Sequence, residues 1–405
     1  SVKSDLKLNG GSVYIKRGKI NIDGNLSVSG ESDILMQYDE DYICVNKDVI
    51  WAQNNKINFS IGTLEIKGNI YDNTGKINAT DEHKLILSGT SKQEIEFIEC
   101  GSIYNVVEIE NTSEEGVFCE KGIPCQKLET HNNKYITGDG ILNGYTLNSD
   151  VLIDGSVEFS AGTLNLNGHT LTVNGDLIHK AGEIYVNNGK LVINGDYRIQ
   201  IPKTDGTFMG SYGKLIMKQT KDEVHVKGNI YYGAYEDAED NLINGRLSVE
   251  GNVYQLTYES DTNFTSSDAF CLVLNGKKQQ VIFESDNAKI ANLDICCDET
   301  EIEKPIYVTG LVSDNKNKVN GFVKIDQTTQ FVNGTFTGNI LIEDEKSCSL
   351  DKTINVEGCM KIDGDVQLEN DITVGELIVN ESLSLNENKI IVKNNAYING
   401  YFYIE

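Results

Sequence analysis

The feature that most constrains this chain is a twenty-residue repeat in the middle of the sequence. Ala161-Gly162 matches Ala181-Gly182, and Leu171-Thr-Val173 matches Leu191-Val-Ile193, both at a separation of twenty. A repeat this short forms one supersecondary unit that cannot bury its own apolar face, so neighbouring copies must stack. The repeat therefore predicts a β-solenoid, or β-helix, in which each short strand pairs in parallel with its equivalent one coil away.

Short alternating strings support this interpretation along most of the sequence. Lys19–Gly24, Leu64–Gly68 and Leu247–Gly251 each alternate apolar and polar residues and end in glycine. Alternation with period two predicts a strand that is buried on one face, and the glycine supplies the turn. No window has the i, i+3, i+4 spacing of an amphipathic helix. The predicted fold class is all-β, with coils of about 20 residues.

A slower repeat is superimposed on the short one. The string Gly62–Tyr71 matches Gly245–Tyr254 at a separation of 183 residues. Downstream matches follow at separations of 187 and 186 residues, with small insertions between them: Leu85–Gly89 with Leu272–Gly276, Phe97 with Phe283, and Val107–Ile109 with Leu293–Ile295. A block of several coils therefore recurs, and a weaker echo links Leu164–Leu166 with Leu383–Leu385.

The length of 405 residues would suit two or three ordinary domains, yet the chain has 3 Pro and no linker-like stretch. We therefore expect one continuous β-solenoid over residues 1–405, with no separate globular domain. The repeats are best defined over 55–300, and the least regular coils are expected over 300–350. About twenty coils, each rising about 4.8 Å, would make a rod of about 95 Å.

Composition excludes several classes of function. The net charge of −26 repels phosphate backbones and anionic lipid, so we expect no nucleic-acid partner. No apolar run approaches the ~18 residues of a membrane helix, so we expect no membrane insertion. Disorder is excluded because 39% of the residues are hydrophobic and 19 are Tyr. The nine cysteines lack zinc-site spacing; we expect small buried hydrophobes, with scattered disulfides as the alternative.

The strings Gly162–Leu177, Gly189–Ile199 and Leu272–Phe283 resemble the repeat regions of very large secreted proteins of Gram-positive anaerobic bacteria. In that family of surface and adhesin-like proteins the repeats form a β-solenoid stalk, and adhesive or toxic modules lie elsewhere. The resemblance implies a non-catalytic structural segment that is extracellular or on the cell surface. Implied partners are adjoining modules of a longer chain, other copies end to end in an array or filament, and surface glycans.

The alternative is a carbohydrate-binding or carbohydrate-active β-helix protein. A hydrolase of this type needs stacked carboxylates, and Asp176 and Asp196 follow equivalent turn glycines one coil apart. That position is also the ordinary place for a turn-capping Asp, so no catalytic residue is predicted. The three arginines are expected on outward strand positions, and the five histidines at the surface or at strand edges: Arg17, Arg198, Arg246, His83, His131, His169, His179 and His225.

Two further features were weighed, and neither predicts a cofactor or a metal. The acidic run Glu236–Asp240 suggests a calcium site less well than a solvated loop. The aromatics Tyr231-Tyr232, Tyr235 and Tyr401-Phe402 could stack on sugars, although edge or core packing is the ordinary role. Finally, Gly175 and Gly195 are expected at corners with positive φ, where other residues would strain the backbone.

Overall fold

The computed structural model describes the chain except for residues 53–56, 75, 98–101, 120–122, 124, 131–134, 138–139, 143–145, 148–149, 239, 315–316, 344–347, 351–353 and 405. The chain divides into two compact units, one formed by Ser1–Tyr185 with Gly189–Asn194, the other by Val186–Asn188 with Gly195–Glu405. Among the described residues there is no α-helix, and no helix is long and apolar enough to cross a membrane.

The described strands of the first unit are two to six residues long. They are β1 (Leu6–Asn9), β2 (Ser12–Ile15), β3 (Lys19–Ile22), β4 (Leu26–Ser29), β5 (Asp33–Met36), β6 (Tyr42–Val45), β7 (Val49–Trp51), β8 (Ile57–Phe59), β9 (Thr63–Ile66), β10 (Ile70–Asp72), β11 (Ile77–Ala79), β12 (Lys84–Leu87), β13 (Gln93–Phe97), β14 (Tyr104–Ile109), β15 (Val117–Phe118), β16 (Cys125–Thr130), β17 (Tyr135–Thr137), β18 (Gly140–Leu142), β19 (Thr146–Leu147), β20 (Val151–Asp154), β21 (Val157–Phe159), β22 (Thr163–Asn165), β23 (Thr170–Val173), β24 (Leu177–His179), β25 (Ala181–Tyr185) and β26 (Lys190–Ile193).

Within this unit the strands form stacked parallel sheets. Their orders are β1-β4-β7-β10-β13-β15-β17-β20-β23-β26, then β3-β6-β9-β12-β14-β16-β19-β22-β25, and on the remaining face β11-β8-β5-β2 and β18-β21-β24.

The second unit is built in the same way. Its described strands are β27 (Tyr197–Ile199), β28 (Ile201–Pro202), β29 (Phe208–Met209), β30 (Tyr212–Ile216), β31 (Glu223–Val226), β32 (Ile230–Tyr232), β33 (Arg246–Val249), β34 (Val253–Gln255), β35 (Cys271–Leu274), β36 (Lys278–Phe283), β37 (Lys289–Ile290), β38 (Asn292–Ile295), β39 (Glu299–Ile302), β40 (Ile306–Val308), β41 (Leu311–Asp314), β42 (Lys318–Asn320), β43 (Phe322–Lys324), β44 (Gln330–Phe331), β45 (Thr335–Phe336), β46 (Asn339–Ile342), β47 (Cys348–Leu350), β48 (Ile354–Ile362), β49 (Asp365–Leu368), β50 (Ile372–Val379), β51 (Ser382–Ser384), β52 (Ile390–Val392), β53 (Ala396–Ile398) and β54 (Tyr401–Tyr403). A 3-10 helix spans Val332–Gly334.

The sheets of the second unit are also parallel, apart from one antiparallel hairpin, β28–β29. Their orders are β31-β33-β35-β38-β41-β44, β27-β32-β34-β36-β39-β42, β37-β40-β43-β46-β48-β50-β52 and β47-β49-β51-β54, with β45 paired to β48 and β53 to β50.

The predicted twenty-residue register is confirmed in the first unit. Leu171 pairs with Leu191, and Val173 pairs with Ile193, in adjacent parallel strands. Elsewhere the coil length varies modestly: Leu6 pairs with Leu26, and Leu26 pairs in turn with Val49. The all-β solenoid prediction is therefore confirmed, because in each unit the described strands stack in parallel from one coil to the next.

Alternation places the core inside the coils. In β9, β23 and β33 the second and fourth residues are buried, whereas the first and third are not. Because successive side chains of a strand point to opposite faces, each coil presents an apolar row inward. Stacking then buries these rows against the next coil; Leu171 and Leu191 are both 0% exposed. Burial that one coil cannot achieve alone is what stabilises the solenoid.

Polar side chains at the corners connect successive coils. The carboxylate or amide oxygen of each ladder residue accepts a hydrogen bond from the backbone N–H of the equivalent residue in the next coil. In the first unit the donor–acceptor pairs are Asn25 to Asp5, Asp48 to Asn25 and Asn69 to Asp48; in the second unit they are Asn229 to Asp196 and Asn252 to Asn229. We call these two series the corner ladders.

The turn glycine Gly175 is required for a different reason from the predicted one. Its φ does not lie in the positive region, so the expectation of a positive-φ corner is wrong at this residue. Instead, a Cβ atom at Gly175 would lie 2.6 Å from the backbone nitrogen of Ser156 and 2.7 Å from the carbonyl carbon of Gly155. The backbone of one coil approaches the previous coil too closely for a side chain.

The longer repeat appears as one hydrogen-bond network present in each unit. In the first unit the Gln93 amide accepts from the N–H of Gly89 and donates to the carbonyls of Ile66 and Gly68. In the second unit, residues at the repeat separations do the same. Gln279 accepts from Gly276 and donates to the carbonyls of Val249 and Gly251. Both glutamines are 0% exposed. We call the segments 41–109 and 222–295 the first and second blocks.

Candidate functional site: the tyrosine surface of the second unit

One coil of the second unit is interrupted by a hairpin. The N–H of Gly228 donates to the carbonyl of Gly195, so this coil spans 33 residues rather than about 20. The extra residues form the hairpin β28–β29, whose tip is tightened by the Asp205 side chain, which accepts from the Thr207 N–H. A local break in a regular repeat is the place where a solenoid most readily carries a binding surface.

Beside the hairpin, three tyrosines from successive coils form what we call the tyrosine surface: Tyr212, Tyr235 and Tyr258. The ring centroids of Tyr212 and Tyr235 are 4.8 Å apart, and those of Tyr235 and Tyr258 are 6.2 Å apart. Tyr212 is 57% exposed and Tyr258 is 37% exposed. The rings are inclined at 46° and 66°, so they offer separate faces rather than one flat platform.

Glycines beneath the rings hold this surface in place. A Cβ atom at Gly210 would lie 2.6 Å from the Tyr235 ring, and one at Gly233 would lie equally close to the Tyr258 ring. The phenol oxygen of Tyr258 accepts a hydrogen bond of 3.0 Å from the Gln200 amide. Partial burial, followed by the neighbouring Tyr212 and Glu259, raises the pKa of Tyr235. The Tyr235 and Tyr258 rings are therefore packed against the protein before any ligand arrives, which lowers the entropic cost of binding.

The ring faces of a second aromatic group nearby pack against other groups of the protein. The Arg198 guanidinium carbon lies 3.6 Å from the ring centroid of Tyr231 and 4.6 Å from that of Phe208. The Tyr254 ring stacks on Tyr231 at 4.8 Å and 10°. These contacts are cation–π and stacking interactions that join the hairpin to the coils. Tyr231 thus packs against other protein groups, the role that the sequence favoured over a sugar platform, and Tyr232 is 2% exposed in the core.

The acidic run Glu236–Asp240 is engaged by protein groups, with residue 239 outside the described residues. The Asp237 carboxylate accepts from the hydroxyls of Ser260 and Thr262, and these hydrogen bonds lower its pKa. Glu236 forms an ion pair of 2.6 Å with Lys214. Within the described ranges, no group of three or more His, Cys, Asp or Glu is arranged to hold a metal ion.

The two carboxylates weighed as a catalytic pair have corner positions. Asp176 donates its backbone N–H to the Ser156 hydroxyl in the first unit. Asp196 belongs to the corner ladder of the second unit and also pairs with Arg198 at 3.0 Å. The Asp196 carboxylate, which accepts from a backbone N–H at the corner, matches the capping role that the sequence suggested as the ordinary one.

Two histidines contradict the expectation of surface or strand-edge positions. His83 and His179 are both 0% exposed, because each occupies an inward position that aromatic and aliphatic residues fill in other coils. Burial lowers the pKa of His179 to about 4, although its Nε2 lies 3.0 Å from the Gly182 carbonyl oxygen. His225 pairs with Glu250 at 2.8 Å on the outer face, and His131 lies outside the described residues.

Of the remaining candidates, Tyr401 is exposed and stacks on Tyr403, whereas Phe402 is half-buried. The buried cysteines include Cys44, Cys125 and Cys297, as expected of small hydrophobes.

Tyr212 and Tyr258 were not predicted from the sequence as partners of Tyr235. A signal is present, because the three tyrosines are spaced by 23 residues, one coil each, from 212 to 235 and from 235 to 258. Comparison with known proteins gives no relative: no family model, no curated protein and no solved structure matches the chain.

Proposed function

We propose that this chain is a non-catalytic structural segment, of the stalk or adhesin type, of an extracellular bacterial surface protein. The observation that supports this proposal is the use of its acidic groups. Asp196 and Asp237, for which the sequence favoured a turn cap and a solvated loop over catalysis and calcium binding, accept hydrogen bonds between coils. A repeat whose polar groups form hydrogen bonds between its own coils suits a spacer that presents other modules.

The partners we propose are adjoining modules of a longer chain or further copies joined end to end. Strands β53 and β54 pair on one side, with β50 and β51, and carry the exposed Tyr397 and Tyr401. A further coil would pair with these strands and cover their side chains. Sedimentation over a range of concentrations tests self-association: open-ended polymers support it, and a monomer at high concentration leaves adjoining modules as the partner.

The structural role is tested by two measurements on the same preparation. Antibodies raised against the segment should label intact cells of the source bacterium, because the segment lies outside the membrane. Incubation with a panel of polysaccharides should release no new reducing ends. Release that is lost in Asp176→Asn or Asp196→Asn would contradict the proposal and make the chain an enzyme.

The tyrosine surface favours a second candidate, which is binding of a neutral polysaccharide. Its exposed, pre-positioned rings offer apolar faces with hydroxyl groups at their edges, a combination that suits sugar rings. The net charge of −26 disfavours anionic polysaccharides.

Affinity electrophoresis in gels containing neutral polysaccharides tests this second candidate. Retardation by one of them should be reduced at least tenfold in Tyr212→Ala, which removes the most exposed ring. Tyr254→Ala is the matched control, because its ring is stacked on Tyr231. Equal mobility of both variants and the parent protein in every gel would contradict glycan binding while leaving the structural role intact.

A further inference from the structure

The first block contains a buried histidine whose ring forms no hydrogen bond with the residues that the structure describes. His83 is 0% exposed, and neither its Nδ1 nor its Nε2 has a hydrogen-bond partner among them. Its ring stacks on Phe59, with centroids 4.5 Å apart and planes at 10°. Buried polar atoms are ordinarily paired, so an imidazole held in this way is an exception with an energetic cost.

The second block has a phenylalanine in the same position. His83 lies two residues before Leu85, and Phe270 lies two residues before Leu272, its counterpart in the longer repeat. The turns before them also agree: the N–H of His83 donates to the Thr80 carbonyl, and that of Phe270 to the Ser267 carbonyl, both at 3.2 Å. In these turns Asp81 and Asp268 have φ of 51° and 48°. The position is therefore an interior aromatic one.

No described charge near His83 compensates for its burial. Burial is the only cause that lowers its pKa, to about 3. The titratable side chains on its own turn and on the neighbouring strands are Asp72 on β10, Glu65 on β9, Asp81, Glu82 and Lys84 on the turn and β12, and Tyr104 and Glu108 on β14.

Four of these neighbours are occupied with other partners. Lys84 forms an ion pair with Glu108, and Glu65 accepts from the Ser88 hydroxyl at 2.6 Å. Asp72 accepts from the N–H of Thr74 at 2.8 Å and from its hydroxyl. A protonated ring would thus have two N–H donors, and no described residue of the closed block accepts a hydrogen bond from either nitrogen.

We propose that His83 is an acid-sensitive latch, which lets the first block open in mildly acidic solution while the second block stays closed. Above pH 6.5 the ring is neutral in both the closed and the open form, so pH has no effect on the equilibrium. Below that value the open form binds a proton that the closed form excludes, so the closed form loses stability progressively as the pH falls towards about 3. Between pH 7.5 and 5.5 the opening constant should rise about tenfold.

The experiment measures amide hydrogen exchange in both blocks at pH 7.5 and 5.5, corrected for the intrinsic rate at each pH. This window lies above the ordinary pKa of carboxylates and above the sequence pI of about 4.6. The opening constant of β9, β12 and β14 should rise about tenfold in the parent protein and stay level in His83→Phe. In Phe270→His the same acid response should appear in β33, β35 and β38.

Two controls keep the test decisive. His179→Phe removes the other buried histidine, which has a carbonyl partner in a different coil, and should leave the response of the first block unchanged. Trp51, the single tryptophan of the chain, is 0% exposed beside Phe59, so its fluorescence shows whether each variant still closes the block. If His83→Phe closes correctly and keeps the tenfold response, or if the parent protein shows none, the latch does not exist.

Discussion

The two blocks share the hydrogen bonds at their corners but differ in the side chains of their interiors. Both bury a glutamine with the same bonds to one glycine N–H and two carbonyls. Inside, the pair Trp51 and Asp72 of the first block corresponds to Tyr232 and Gln255 of the second, strand for strand. The corner bonds fix the path of the backbone, and the interior side chains are free to vary provided that they fill the space.

The difference in the interiors has an energetic meaning. In the described part of the first block, the two His83 ring nitrogens are buried without hydrogen-bond partners. In the second block, Gln255 is bonded on both sides of its amide, to Asn263 and to the N–H of Ser285. Unpaired buried polar groups cost about 1–3 kcal/mol each, so the first block should be the less stable copy.

The largest loss of stability is expected from substitutions at the glycines near the start of each block. Gly62 and Gly245 have φ of +94° and +86°, and a Cβ atom would lie 2.6 Å and 2.4 Å from the carbonyl oxygens of Asp41 and Asp222. Replacement by valine adds backbone strain to a clash that no side-chain movement relieves, so each block should lose about 4 kcal/mol. Urea unfolding followed by hydrogen exchange measures the loss in each block.

Substitutions at two other glycines allow the cost of backbone strain to be measured separately from the cost of a steric clash. Gly168 and Gly206 have φ of +83° and +81°, but a Cβ atom at either would meet no atom within 4 Å. Their valine variants should lose only the strain component, about 1–2 kcal/mol. Equal losses at Gly62 and Gly168 would show that close approach between coils is not what these glycines provide.

The second effect concerns the buried glutamines. Gln93→Leu and Gln279→Leu each leave a glycine N–H and two carbonyls without their partner, so each block should be destabilised by about 3 kcal/mol. The first block should lose slightly more, because Asn111 also donates to the Gln93 amide oxygen. Gln219→Leu makes the same chemical change at an exposed position and should leave the stability of the block unchanged. If Gln279→Leu did not lower the stability of the second block, the hydrogen bonds of this glutamine would not be what stabilises it.

The smallest effect is expected at two buried aspartates. Asp41 accepts from the N–H groups of Arg17, Gln37 and Tyr38, and Asp222 accepts from three N–H groups in the same manner. An asparagine keeps one acceptor oxygen, so each substitution should cost about 1–2 kcal/mol. The two losses, measured as shifts in urea midpoint, should agree; a loss confined to one block would show that the copies have diverged at this corner as well.

Much of this design could be predicted from the sequence. The separations of 183, 187 and 186 residues located the buried glutamine network, although the glutamines themselves went unnoticed. The alternation of apolar and polar residues predicted the strands, because the sequence of a strand that is buried on one face has a period of two. Alternation alone reveals neither the tyrosine surface, which shows only in the 23-residue spacing of its tyrosines, nor the buried histidines. His83 was assigned by residue type to the surface, whereas its alignment with Phe270 indicated the interior.

The corner ladders also imply an order of assembly. In each step the accepting side chain lies earlier in the sequence than the N–H that it binds, as Asp5 precedes Asn25 and Asp196 precedes Asn229. A chain that emerges from the ribosome with its amino terminus first presents each acceptor before the matching donor. Every finished coil is then a template for the one that follows, so within each unit the coils can be added in the order in which they appear.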